Sequence, residues 1–380
     1  MPFAAALSEH PITAYAVGEV CGEVLERIGT HPDVVIVFTT LAHAGALEDT
    51  MGAVVALLEP SVAVGAASHA VIGPGREVEG GPAITIWAGR FGPVRPVRLA
   101  PGATTVAGAA GLGFDPSAMV LVADPFSFEA AAFLERLAVD HPGLPVVGGL
   151  ASGARGPGGS RLALGDDVFT DGGVGFLVGP GIDVLPVLSQ GSRPIGRPFV
   201  VTDGEGRIIR SLGGRTAMER LEELAVGLSA EEVAAVNAGA LLLGRVVDEH
   251  KLDFEAGDFA LRAVIGGDRQ TGAIAVEDDV VLGTTVQFHI RDALAAHDDL
   301  EAVLRREAPL SNPQGALIFS CNGRGRRLFG GPDHDAGAIQ QVLGPIPTAG
   351  MFAAGELAPL GGRNEMRSLS ASMLLVREHR

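Results

Sequence analysis

The chain has 380 residues, enough for two or three domains with well-buried cores, and its 45 acidic and 28 basic side chains give a formal charge of −17. That balance excludes the basic face that nucleic acid requires and the polybasic anchor that anionic lipid requires. Aromatics make up only 5% while Gly reaches 54, so the core is expected to pack Ala, Val and Leu with close backbone approach.

The first residues, Met1 to Pro11, have no basic n-region and no long apolar h-region. No uncharged apolar run is long enough to span a bilayer. A cytoplasmic protein is therefore expected, and the Arg-, Ala- and Gly-rich, Lys-poor composition points to a high-GC bacterial genome. Cys21 and Cys321 lie far apart, outside any CxxC or Cys/His zinc pattern, so both read as free thiols, and no metal or organic cofactor is expected.

One pattern recurs three times. A short apolar strand comes first: Val34 to Phe38, Met119 to Ala123, and Ala316 to Ser320. A helical stretch follows, over roughly Gly45 to Leu58, Phe128 to Val139, and Ala336 to Leu343. Then comes a second, proline-led strand ending in glycine: Pro60 to Gly65, Pro145 to Gly148, and Pro345 to Gly350. A loop of small residues closes each unit: Ala67-Ser68-His69, Ala151-Ser152-Gly153, and Ala353 to Glu356. Continuous apolar strands flanking a helix are the pattern of βαβ units buried on both faces. Their carboxyl-end loops are expected to gather at one edge, where α/β sheets bind ligands.

Between the second and third copies the rhythm changes. Phe199 to Thr202 and Arg207 to Arg210 flank Asp203-Gly204-Glu205-Gly206, a hairpin signal. Leu241 to Val247, Phe259 to Ile265, Ala273 to Val276 and Val280 to His289 read as further strands, the last two joined by Glu277-Asp278-Asp279. Helices are expected over Arg215 to Ala225 and Ala230 to Asn237, the second opened by a Ser229/Glu232 capping box. The fold class is thus mixed α/β (α+β): repeated strand-helix-strand units plus antiparallel hairpins, as layered sheets flanked by helices. The main boundary is placed after Gly213 to Gly227, giving domains 1–227 and 228–380.

The densest polar cluster is Ser320-Cys321-Asn322-Gly323-Arg324-Gly325-Arg326-Arg327, directly after a buried-type strand. Three arginines beside glycine amides in an acidic chain form a plausible cradle for a carboxylate or phosphate, against the plainer reading of a solvated basic turn. Glu356, after Gly355, suits a ligand ammonium or an internal ion pair with Arg324. Gln287, His289 and Arg291 alternate onto one strand face, which is either solvent or a cleft wall. Cys321 is the one candidate nucleophile, but no base, orienting partner or oxyanion motif accompanies it, so no catalytic residue is assigned. Gly323-Arg324-Gly325 lacks the third glycine of a dinucleotide site, and Walker A, GxSxG, HExxH and EF-hand patterns are missing.

The order of these features resembles the FIST domain family, in which an N-terminal and a C-terminal FIST segment occur together. The N-terminal likeness rests on Val34 to Phe38, Val64 to Ser68, and Pro145 to Gly149. The C-terminal likeness rests on Val286 to Asp292, Gly315 to Arg324, Pro347 to Met351, and Gly355-Glu356-Leu357-Ala358-Pro359. The resemblance implies a sensory module for small ligands, amino acids among them. It carries Cys321, Asn322, Arg324, Gly355 and Glu356 over as ligand contacts. In that family the modules can be fused to output regions, none of which is expected in this sequence, so output is expected to run through a separate partner or a homo-oligomer.

The combined expectation is a stand-alone sensory protein rather than an enzyme. It binds an anionic or zwitterionic metabolite through Cys321, Asn322, Arg324, Gly355, Glu356, His289 and Arg291, without nucleic acid or membrane. The alternatives are a hydrolase or transferase using Cys321, and a protein-interaction scaffold with a large exposed apolar patch.

Overall fold

The computed structural model describes residues 2–106, 113–251, 253–254, 256–277 and 279–379, apart from the side chains of 256 and 308–311. The middle of the expected Glu277–Asp279 turn, Asp278, lies outside the described residues. The chain divides into two units, one of residues 1–188 and 300–380, the other of residues 189–299. In space the polypeptide therefore does not partition at 227/228: the second unit is an insertion, and both ends of the chain belong to the first.

The first unit repeats one plan three times. Copy one runs β1 (Phe3–Ser8), α1 (Thr13–Ile28), β2 (Val34–Thr40), α2 (Leu47–Leu58), β3 (Val62–Ser68), the hairpin β4 (Val71–Gly73) and β5 (Arg76–Val78), and β6 (Ile84–Gly89). Copy two runs β7 (Val94–Leu99), β8 (Ala118–Ala123), α3 (Ala130–Asp140), β9 (Val146–Leu150), the hairpin β10 (Leu162–Leu164) and β11 (Asp167–Phe169), and β12 (Gly173–Val178). Copy three opens with β13 (Ile182–Ser189) and is interrupted by the second unit.

That insertion holds β14 (Arg193–Glu205), β15 (Ile208–Leu212), β16 (Arg215–Thr216), α4 (Ala217–Ala225), α5 (Ala230–Ala235), β17 (Leu241–Val246), β18 (Phe259–Asp268), β19 (Ala273–Val276) and β20 (Thr285–Ile290). Copy three then resumes through α6 (Ala293–Ser311), β21 (Gly315–Cys321), α7 (Arg326–Phe329), α8 (His334–Leu343), β22 (Thr348–Ala353), the hairpin β23 (Glu356–Leu360) and β24 (Arg363–Arg367), and β25 (Ala371–Glu378).

Each copy centres a six-stranded sheet on a parallel pair, β2–β3, β8–β9 or β21–β22. The hairpins are exchanged cyclically. The one after β3 extends the sheet of copy three, the one after β9 extends copy one, and the one after β22 extends copy two. Strand alternation explains the layers. Val34, Ile36 and Phe38, Val120 and Val122, and Leu317 and Phe319 turn their side chains into one shared core. The intervening residues face outward and are covered by α1 and α2, by α3, or by α6 and α8. Strands covered on both faces have no polar side to alternate, hence their continuous apolar runs.

The glycines expected to end the second strands lie inside them. Gly65, Gly148 and Gly350 occupy equivalent register positions opposite Val37, Leu121 and Ile318. A Cβ at Gly148 or Gly350 would stand 1.8 or 1.9 Å from the carbonyl oxygen of Leu121 or Ile318. Both positions thus demand glycine for close strand approach.

The second unit is all antiparallel around its core. Its strands run β14-β20-β17-β18-β19-β15, and β15 pairs back to β14, which closes a barrel. The long strands β14 and β18 each carry register shifts that let them turn from one neighbour to the next. The Ser229/Glu232 capping box is present, and Thr216/Glu219 forms a second one on α4. Among the described residues no helix is long and apolar enough to cross a membrane.

Candidate functional site

The three small-residue loops that close the repeats meet. The His69 amide donates to Ser152 Oγ at 2.8 Å, and that hydroxyl donates to the Phe352 carbonyl at 2.5 Å. The Leu150 amide donates to the Gly355 carbonyl, and the Ala354 amide donates to the Leu150 carbonyl. The Asn322 amide reaches the Ala353 carbonyl at 2.9 Å, which ties the loop after β21 to the same cluster. Parallel pairing within each copy and hairpin exchange between copies bring these strand ends to one place.

Arg324 lies beneath this cluster and is 0% exposed. Its Nε and Nη2 each donate to an Asp335 carboxylate oxygen at 2.8 Å, a bidentate pair. Ser320 Oγ donates to Asp335 at 2.6 Å, and His334 Nδ1 contacts it at 2.9 Å. Burial pushes the Asp335 carboxyl up, but the Arg324 charge and the bonds from His334, Arg324 and Ser320 outweigh it and hold that group well below the ordinary carboxylate range. Arg324 was expected to face a ligand carboxylate; here it is engaged with an internal one.

Glu77, from the exchanged hairpin of copy one, accepts from the amides of Asp335 and Ala336 at 2.8 and 3.0 Å, capping α8 from another sheet segment. Burial first, and then the Asp335 charge, push Glu77 up to about 8 against the opposing pull of those amides. Glu79 accepts from the Arg326 amide at 2.8 Å. A Cβ at Gly325, whose φ is +59, would run into the Glu79 carboxyl at 2.7 Å.

Glu356 and Cys321 are brought together. Glu356 is fully buried, and its Oε2 accepts from the amide and hydroxyl of Ser370 at 3.0 and 2.8 Å. Burial pushes this carboxyl up to about 8, against the pull of the Ser370 bonds, the Arg324 charge and the Cys321 thiol. Its Oε1 and the Oδ1 of Asn322 are buried acceptors without a hydrogen bond of ordinary geometry among the described residues. The Cys321 sulfur accepts from the Gly323 amide at 3.4 Å.

His289 and Arg291 belong to the inserted barrel, not to the unit that holds the other five residues. The face carrying His289 is neither solvent nor an open wall at that point. The imidazole is 0% exposed, meets Ser192 Oγ at 3.3 Å, and stands edge-on to Phe259 at 4.7 Å between ring centroids. Burial pushes its pKa down to about 3. Arg291 is half-buried beyond the end of β20, its amide on the Ala240 carbonyl.

Sequence reasoning missed Asp335, Glu77 and Ser370. Asp335 had a signal, an acidic residue immediately before the helix expected from Ala336; the observed helix starts at His334 and takes it into the first turn. Glu77 had none, because 258 residues separate it from its amide partner. Among the described residues no group of three or more His, Cys, Asp or Glu side chains is arranged to hold a metal ion.

The family models of the FIST N domain and the FIST C domain match residues 33–215 and 217–359. The chain belongs to the FIST family. FIST domains are sensory and signal-transduction domains. Over 376 residues this FIST chain is 40% identical to an uncharacterized protein of Mycobacterium bovis, across 96% of each chain. Over 380 residues it is 40% identical to an uncharacterized protein of Mycobacterium tuberculosis, across 97% of this chain and 98% of that one. The two matched FIST segments meet inside the barrel, so neither is a spatial unit by itself: parts of both build the threefold repeat.

Proposed function

We propose that this FIST protein is a cytoplasmic sensor of a small amine-bearing metabolite of the amino-acid class, and that it docks its ligand where the three repeat loops meet. Its output is assigned to a separate signalling partner. The observation that carries this reading is Glu356, a buried carboxyl pushed up to about 8 by burial and bonded to the Cys321 thiol, the residue that precedes the half-buried Asn322-Gly323 loop. Glu356 Oε1 and Asn322 Oδ1 are both acceptors, so they suit a donor-rich group such as an ammonium. Arg324 is assigned to positioning this loop through Asp335 instead of taking the ligand's anionic end alone.

An ammonium arriving at Glu356 favours the carboxylate, so binding below about pH 8 is expected to release a proton. The test is a thermal-shift screen of amino acids, amines and organic acids, followed by calorimetry of any hit in buffers of different ionisation enthalpy. A stabilising amine whose effect is lost in Glu356→Gln and whose binding releases a proton is the expected result. A hit that Glu356→Gln binds undiminished, or hits confined to ligands without a cation, would overturn the reading.

A further inference from the structure

The inserted barrel has a cavity of its own that the repeat-loop site does not use. It measures about 40 Å³ and opens at one end of the barrel, among Val201, Ile209, Leu243, Val276 and Val286. These side chains belong to the barrel's inner core, the apolar filling expected of a small barrel. Two arginines break that pattern. Arg245 and Arg262 line the same cavity, on the adjacent antiparallel strands β17 and β18.

Register explains their closeness. Leu243 stands opposite Arg262, and Arg245 stands opposite Ala260. Arg245 and Arg262 are therefore diagonal neighbours on one face of the sheet, within reach of each other's long side chains. Both arginines are half-buried, with their stems along the apolar wall. Arg262 donates to the Leu261 carbonyl at 2.8 Å, and Asp279 stands on the cavity wall. The Arg245 side chain makes no hydrogen bond or ion pair with another described residue. Beside the mouth, Val281 and Leu282 are 47% and 57% exposed, an apolar ledge next to a cationic floor.

We propose that the barrel mouth binds a small organic monocarboxylate with an apolar tail. The carboxylate lies on Arg245 beside Arg262, and the tail lies along Val280, Val281 and Leu282. The size of the cavity suits a carboxylate head group with its tail at the opening, not a whole metabolite enclosed. Mouths of barrels are places where such ligands bind, and a guanidinium on a carboxylate is a charge-assisted contact of high geometric specificity.

The test uses the full chain and sodium hexanoate as probe, followed by saturation-transfer NMR, with acetate, hexanol and inorganic phosphate in parallel. Hexanoate is expected to bind saturably and more tightly than acetate, and neither hexanol nor phosphate is expected to displace it. Arg245→Met is expected to weaken binding by about tenfold or more, the loss of one charge-assisted contact, while Glu356→Gln leaves it unchanged. Ala260→Leu fills the space opposite Arg245 with the charge retained, and is expected to weaken binding too. It decides the matter if Arg245→Met does not fold. Absence of saturable hexanoate binding, equal affinity in both folded variants, or displacement by phosphate at similar concentration would each overturn the proposal.

Discussion

Arg324 and Asp335, eleven residues apart in the chain, meet in a two-pronged ion pair with both bonds at 2.8 Å and neither side chain in contact with solvent. The strand end that carries the arginine is thereby tied to the first turn of α8, and Glu77 ties that same turn to the hairpin from the first repeat. Four expectations follow from this arrangement and from its counterparts elsewhere in the molecule.

Removing one partner of the pair leaves a buried charge uncompensated. Asp335→Asn is expected to cost about 3–5 kcal/mol, whereas the apolar double variant Arg324→Met/Asp335→Leu recovers much of that loss. Trp87, the single tryptophan, is buried in the shared core of the repeats, so its fluorescence during urea unfolding reads this unit. Equal destabilisation by the single and double variants would contradict the assignment of the cost to charge.

Glu77 and Glu356 each titrate near 8 in the folded chain against an ordinary 4.5. Between those values the folded state keeps protons that the unfolded state has released, so stability falls as pH rises through the window. The urea midpoint read by Trp87 is expected to decline from pH 5 to about pH 8, and Glu356→Gln and Glu77→Gln are each expected to flatten that decline. A pH-independent midpoint over this range, or variants with the wild-type slope, would show that neither carboxyl is held protonated.

His289 behaves in the opposite sense. Its folded pKa lies near 3 against 6.5, so as pH falls below 6.5 the unfolded barrel takes up a proton that the folded one refuses. Amide hydrogen exchange of β17 and β20 is expected to accelerate with acidification, beyond the intrinsic pH effect on exchange. His289→Leu is expected to lessen that acid sensitivity, at some cost at neutral pH because Ser192 loses its partner.

The equivalent glycines of the three repeats are expected to differ. Gly350→Ala and Gly148→Ala drive a methyl into a backbone carbonyl of the paired strand, which cannot withdraw without breaking the ladder. A loss of about 3 kcal/mol or more is expected at each. At Gly65 the nearest atom is the sulfur of Met51, at 2.7 Å. A flexible methionine yields, so Gly65→Ala is expected to cost about 1 kcal/mol. Urea midpoints of the three variants check the ranking.

The sequence by itself determined the repeated strand-helix-strand rhythm, the Ser229 capping box, and the existence of the hairpin after Phe199, though its turn falls at Gly206-Arg207 and Asp203 to Glu205 stay in the strand. These are local matters: apolar continuity, turn residues and a three-residue spacing act within a few bonds of one another. It also marked Cys321 and Glu356 as chemistry-bearing. The tertiary structure alone decided which partners they have. That Glu77 caps a helix 258 residues away and that a hairpin from each repeat lies in another repeat's sheet are contacts between distant segments, and the pairing of Arg324 with Asp335, though only eleven residues apart, depends on the fold that buries them both. Chain spacing carries no record of such contacts, because they arise only when burial of the shared core brings the strand ends together, and whether a buried charge is available or neutralised is settled at that moment.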